Sequence, residues 1–120
     1  MNILYIDDDI ACQKIMYKYL GIIGGHKVEP AFSAQEGLKK AAECVPDLIL
    51  LDIQLPDTNG LQVLEMLLKK PVTEHIPVIF VTGEDLRSEI IEWLKLKPNF
   101  LHLEKKPMQL SRLLAVINKF

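Results

Sequence analysis

Asp47-Leu48-Ile49-Leu50-Leu51-Asp52 sets four apolar residues between two acids, and the loop that follows, Gln54-Leu55-Pro56-Asp57-Thr58-Asn59-Gly60, is dense in turn-forming residues. An unbroken apolar run of this kind, without alternation, suits a strand buried on both faces, as in a parallel sheet covered by helices. The same design stands at the N-terminus, where Asn2-Ile3-Leu4-Tyr5-Ile6 stops abruptly at Asp7, Asp8 and Asp9. Each run therefore delivers carboxylates to its C-terminal end.

Helical and strand patterns alternate outward from these two runs. Asp9 is placed to cap a helix whose apolar positions are Cys12, Ile15, Met16, Tyr19 and Ile23, with Gly24-Gly25 to end it. Residues 28–32 read as a second strand, and Pro30, which lacks a ladder donor, puts it at a sheet edge. Ser33 and Glu36 have capping-box spacing, Ala34, Leu38, Ala41 and Val45 form a stripe, and Pro46 closes that helix. A third helix is expected over about 61–70, and Pro71 and Pro77 bracket the way to a fourth strand, 78–81, ending at Thr82-Gly83. Leu86, Ile90, Trp93 and Leu94 share a face of a fourth helix over about 85–97. A fifth strand, 100–103, is broken by Lys106-Pro107, and Leu110, Leu113, Leu114 and Ile117 stripe a last helix.

Five strands alternating with five helices require right-handed crossovers, hence a mainly parallel, doubly wound α/β sheet. Its common five-strand order, 2-1-3-4-5, puts strands one and three side by side at the switch point, where ligands bind beyond the strand ends. The 120 residues are expected to form one domain, 1–120, without linkers or repeats. A composition 49% hydrophobic and 25% charged with net charge −2 is that of an ordinary globular protein and offers no general attraction to nucleic acid. Cys12 and Cys44 are far apart and lack companions at metal-ligand spacing, so free thiols are expected. With no cationic leader and no apolar run of membrane-spanning length, the default expectation is a cytoplasmic chain with no membrane partner.

Asp7, Asp8 and Asp52 fall together at the switch point, where their mutual repulsion would push at least one to titrate high unless a cation is bound. Oxygen ligands alone favour a hard ion, and few carboxylates with open positions suit Mg²⁺. Asp52 could then attack phosphorus in line beside the ion. Thr82 and Lys106, on the same rim, can donate to phosphoryl oxygens, and Gly83 leaves room beside the backbone. Three consecutive aspartates also occur as a solvated turn and cap, but four strand ends supplying complementary groups argue for a site. His26, His75 and His102 lack partners at useful spacing and are assigned surface or packing roles; Trp93 and Met66 fit helix packing, and an exposed Trp93 would instead anchor a partner.

These residues resemble the receiver domains of two-component response regulators, from the first strand to the last helix. Tyr5-Ile6-Asp7-Asp8-Asp9 is similar to the family's acidic cluster, with Asp7 and Asp8 as the metal pair and Asp9 as the cap. Leu50-Leu51-Asp52-Ile53-Gln54-Leu55-Pro56, followed by Gly60, resembles the phosphoacceptor segment, which implies that Asp52 is the acceptor and that the Gln54 carbonyl also binds the metal. Phe80-Val81-Thr82-Gly83 and Lys105-Lys106-Pro107 are similar to the switch threonine and to the lysine with its following proline, implying a cis Lys106-Pro107 bond. The resemblance implies a flavodoxin-like (βα)5 fold and a Mg²⁺ cofactor. It also implies a signalling module rather than an enzyme, with self-catalysed acceptance and loss of the phosphoryl group. The implied donor is a phosphohistidine on a sensor histidine kinase or histidine phosphotransfer protein. Output would pass to a partner through the face of helix four, strand five and helix five, with no output domain in this chain.

The chain departs from the family pattern in having Lys97-Pro98-Asn99 before strand five, Leu103 at the usual aromatic position, and Glu104 at a usually apolar one. A one-residue slip there would bring Lys105 rather than Lys106 to the pocket, although Pro107 favours Lys106. Gln54 and Glu84, two places beyond Asp52 and Thr82, are candidates to orient a hydrolytic water. Two other functions compete: a pseudo-receiver that binds protein without phosphorylation, and a haloacid-dehalogenase-like phosphatase using Asp7. The second lacks the acids that family needs after its lysine, since residues 107–120 contain no Asp or Glu.

Overall fold

The computed structural model describes residues 1–107 and 109–119. Residue 120, the end of the expected domain, lies outside them. Five strands, β1 (Asn2–Ile6), β2 (Lys27–Ala31), β3 (Leu48–Leu51), β4 (Val78–Thr82) and β5 (Phe100–Lys105), pair in parallel in the order β2-β1-β3-β4-β5. Pro30 lies on the edge strand opposite Tyr5, where its missing N–H breaks no inner ladder. The helices are α1 (Ile10–Met16), α2 (Ala34–Cys44), α3 (Gly60–Leu68), α4 (Ser88–Lys95) and α5 (Leu110–Asn118).

Strand side chains alternate between two cores. Ile3, Tyr5, Leu48, Leu50, Ile79 and Val81 pack against Met16 of α1 and Leu113 and Ile117 of α5. Leu4, Ile6, Ile49, Leu51 and Phe80 meet Ala34 and Ala41 of α2, Leu64 of α3 and Leu94 of α4. Gly37 lets α2 approach β1, because a Cβ there would stand 2.4 Å from Ile6 Cδ1.

Asp9 caps α1 and Ser33 caps α2, as their sequence positions suggest. Other expectations need correction. Beyond Met16 the first helix continues as a π-helical segment, Tyr17–Ile23, in which the Gly24 amide donates to the Tyr19 carbonyl at 2.9 Å. Widened winding shifts the phase of side chains beyond Met16, so Leu20 stays in the core while Ile23 is exposed; Ile15, still in the regular part of the helix, is exposed as well. Val45 does not continue the α2 stripe; it is the C-cap, exposed, with φ 42, a left-handed conformation costly for a β-branched residue. Helix α4 starts at Ser88, since its N-cap Arg87 is extended and offers no side-chain bond to draw the first turn back to 85. Met66 is exposed, whereas Trp93 is partly buried on the core with Lys97 Nζ 4.3 Å from its ring centre.

Strand β5 runs two residues further than expected, to Lys105, and carries an irregularity. Val78 pairs with Phe100 but Ile79 pairs with His102, so Leu101 is an extra residue. The bulge reverses the alternation and turns Glu104 under α5, where it is 1% exposed and takes hydrogen bonds from Arg112 at 2.8 Å and His102 at 2.9 Å. His102 thus has a partner that the sequence did not suggest. Burial alone would raise the Glu104 pKa, but the bonds from Arg112 and His102 outweigh it and hold the carboxyl below its usual range. A depressed carboxyl stabilises the fold above its unfolded pKa, and that contribution is lost as pH falls through the folded value. Glu104→Gln should lower the melting temperature at neutral pH by roughly 5 °C and flatten the acid limb of stability, as followed by circular dichroism. An unchanged acid limb would mean that this pair contributes nothing.

Candidate functional site

Main-chain pairing assembles the site. Asp52 follows β3 directly and its amide donates to the Ile6 carbonyl at 3.0 Å, while the Asp7 amide donates to Ala31 at 2.9 Å, so the two acids lie side by side. Gln13, buried on α1, has its Nε2 at 3.0, 2.9 and 3.1 Å from the carbonyls of Tyr5, Asp7 and Ala31. Two hydrogens shared among three carbonyls brace the loop that carries the acids. The cleft above is about 360 Å³, and its lining combines the polar groups of Asp8, Asp9, Asp52, Gln54 and Lys106 with Gly83, Leu55 and Pro56.

Asp7 is fully buried and has three donors. Its Oδ1 accepts from the Asp9 amide at 2.9 Å, and its Oδ2 accepts from both the Tyr5 hydroxyl and Lys106 Nζ, the latter at 2.7 Å. Lys106 also reaches Asp52 Oδ2 at 3.2 Å, bridging the two carboxylates. Burial, then the charge of Asp7, pushes the Asp52 carboxyl above its ordinary range, partly offset by Lys106. Burial would lower the Lys106 pKa, but Asp7 and Asp52 more than reverse that and raise it. Burial, reinforced by Asp7, also raises the Tyr5 phenol.

Of the two candidate lysines, Lys106 turns into the pocket, while Lys105 points outward to Asp85. The bulge after Phe100 sets that facing, and the Lys106 amide donates to the Thr82 carbonyl at 2.7 Å. The Lys106-Pro107 peptide is cis, as expected. Thr82, 1% exposed, ends β4, and its Oγ1 accepts from the Glu84 amide at 3.1 Å. A Cβ on Gly83 would meet nothing within 4 Å. The Gln54 amide donates to Asp52 Oδ1 at 3.3 Å.

The loop after β3 is held from both ends. A Cβ on Gly60 would stand 2.4 Å from the Asp52 carbonyl oxygen, so only glycine permits this approach of α3 to β3. Asp57 accepts from the amides of Ala34 and Gln35 at 2.9 and 3.0 Å, capping α2 from a distant loop. These backbone bonds hold its carboxyl below the usual range. The supporting roles of Tyr5, Gln13 and Asp57 are not visible in the sequence, because a strand tyrosine, a polar helix position and a turn aspartate carry no local mark of such contacts.

The residues fit a hard divalent cation. Asp7, Asp8 and Asp52 each present a carboxylate oxygen within 4.8 Å of the other two, and this donor set is all oxygen. Asp8 is exposed and opens the set to the cleft.

The family model for the response regulator receiver domain matches residues 3–118. The chain belongs to this family. It is 35% identical to Protein PilH of Pseudomonas aeruginosa, over 98% of this chain and 94% of that one. It is 37% identical to a probable cyclic di-GMP phosphodiesterase of Vibrio cholerae, over 69% of this chain but only 18% of that longer protein. A CheY-like receiver domain from Methanospirillum hungatei superposes with a TM-score of 0.86 at 31% identity, over 98% of this chain and 90% of that one. The chain is thus a receiver domain of two-component signalling, a signalling module rather than a classical enzyme. Receiver domains generally bind Mg²⁺, receive phosphate from histidine kinases and regulate output domains. Among the described residues no helix is long and apolar enough to cross a membrane.

Proposed function

We infer that this receiver accepts a phosphoryl group on Asp52 from a phosphohistidine of a sensor histidine kinase or histidine phosphotransfer protein, and that the phosphorylated state regulates a partner. The observation carrying this reading is Lys106 bridging Asp7 and Asp52 beside three convergent carboxylates at the strand ends. Asp7, Asp8, Asp52 and the Gln54 carbonyl would hold Mg²⁺. The bound ion supplies positive charge to the phosphoryl oxygens.

An Asp52 carboxylate oxygen attacks phosphorus in line. The O–P bond forms as the P–N bond to the donor imidazole breaks, and the electron pair leaves on the donor nitrogen, which takes up a proton. Lys106 Nζ shifts from Asp52 to a phosphoryl oxygen. Thr82 uses its hydroxyl proton for another, while its oxygen keeps the bond from the Glu84 amide. Gln54 and Glu84 orient the water that later hydrolyses the acyl phosphate. The receiver is taken to span residues 1–120, and its partner to engage the face of α4, β5 and α5.

The test is to incubate the protein with Mg²⁺ and a small acyl phosphate or phosphoramidate and to weigh it intact. One added phosphoryl group per chain is expected. No adduct would leave a protein-binding receiver that works without phosphorylation.

A further inference from the structure

Tyr5 lies directly beneath the acidic pocket, fully buried, with its ring in the core shared by α1 and α5. Its hydroxyl does not point into packing. It donates to Asp7 Oδ2, the same oxygen that holds Lys106 Nζ at 2.7 Å. A carboxylate oxygen has two lone pairs, so these donors saturate Oδ2. Oδ1 accepts only the Asp9 amide among the described residues and keeps one lone pair free.

We propose that Tyr5 is a positioning residue for phosphoryl acceptance: its hydroxyl holds Asp7 with Oδ1 presented to the cation, and by sharing Oδ2 it loosens the grip of Asp7 on Lys106. This rests on the reading of the pocket as a Mg²⁺ and phosphoryl site. Two consequences distinguish it from packing alone. Without the phenol, Asp7 loses one of its three donors, and its Oδ2 is left to Lys106 as sole donor. The ammonium is then held on Asp7 instead of moving to the phosphoryl group, and it competes for the charge that the cation needs. A hydrogen-bonded phenol also senses charge drawn from its acceptor, so a cation on Asp7 should perturb the near-ultraviolet band of Tyr5. The other two tyrosines, Tyr17 and Tyr19, lie along the first helix, away from the contacts of Asp7.

The experiment compares wild type with Tyr5→Phe, which keeps the ring and removes the donor. Mg²⁺ is titrated by calorimetry and by near-ultraviolet difference absorption, and phosphoryl uptake from acetyl phosphate is timed at saturating Mg²⁺. The variant should bind Mg²⁺ about tenfold more weakly. Its maximal uptake rate should fall by a similar factor of about ten, with the half-saturating donor concentration unchanged. The tyrosine difference signal seen in wild type should be absent from the variant. A variant equal to wild type in Mg²⁺ affinity and maximal rate overturns the role of Tyr5 while leaving the pocket's function intact. A wild type that neither binds Mg²⁺ nor gains a phosphoryl group overturns both. Should the variant fail to fold, the wild-type titration decides: Mg²⁺ binding without a tyrosine signal overturns the proposal, and binding with one supports it.

Discussion

Asp52→Asn should gain no phosphoryl group from a small acyl phosphate in Mg²⁺, its uptake falling by about 10³-fold or more, while its metal-free form melts no lower than the parent. The first half follows from the loss of the attacking oxygen. The second follows from electrostatics. Burial and Asp7 raise the Asp52 pKa in the folded protein. For an acid so raised, the stabilising contribution is present below the unfolded pKa and is lost as pH rises through the folded value. At neutral pH an ionised Asp52 therefore costs the metal-free fold, and asparagine removes that cost without orphaning Lys106, which keeps Asp7 at 2.7 Å. Intact mass measures the adduct, and thermal melts with and without Mg²⁺ measure the balance. The parent should gain more from Mg²⁺ than the variant. An adduct persisting in Asp52→Asn would move the acceptor elsewhere.

Lys106→Ala should do the reverse, weakening the metal-free fold while strengthening cation binding. The ammonium is the positive charge bridging Asp7 and Asp52, and its removal leaves two buried carboxylates facing one another. Breaking such a buried arrangement costs about 3 kcal/mol, or a fall of roughly 10 °C in melting temperature at neutral pH. Mg²⁺ would then enter without displacing a resident cation, and its affinity should rise about tenfold. Phosphoryl uptake should nevertheless fall about 10²-fold, because a charge-assisted donor to the transferring group is gone. Lys105→Ala is the control, since its exposed pair with Asp85 contributes little. Equal behaviour of the two variants would remove Lys106 from the mechanism.

The legible parts of this molecule were those governed by local rules. Apolar runs ending in acids mark β1 and β3, Asp9 and Ser33 are spaced to cap, and Pro30 announces an edge strand. Legibility failed where a side chain's role depends on a partner distant in sequence. Glu104 reads as a charge at a usually apolar position, with no partner in view until α5 brings Arg112 to it. Asp57 reads as a turn residue until its loop meets the N-terminus of α2. Ile23 reads as core because its spacing presumes regular winding, which the π-helical segment breaks.

From the sequence alone came the parallel sheet, its strand order, and the kinds of side chain gathered at its C-terminal rim. Hydrophobic burial and crossover handedness act on patterns that any reader of the chain can see. Tertiary structure decided which groups at that rim touch. An extra residue at Leu101 turns Lys106 inward and Lys105 outward; Pro107 favours that facing in the sequence, but strand periodicity does not announce it, because a one-residue shift exchanges the two faces of a strand. Burial likewise decided that the hydroxyl of Tyr5, on an otherwise apolar strand, finds its acceptor in Asp7 rather than in water.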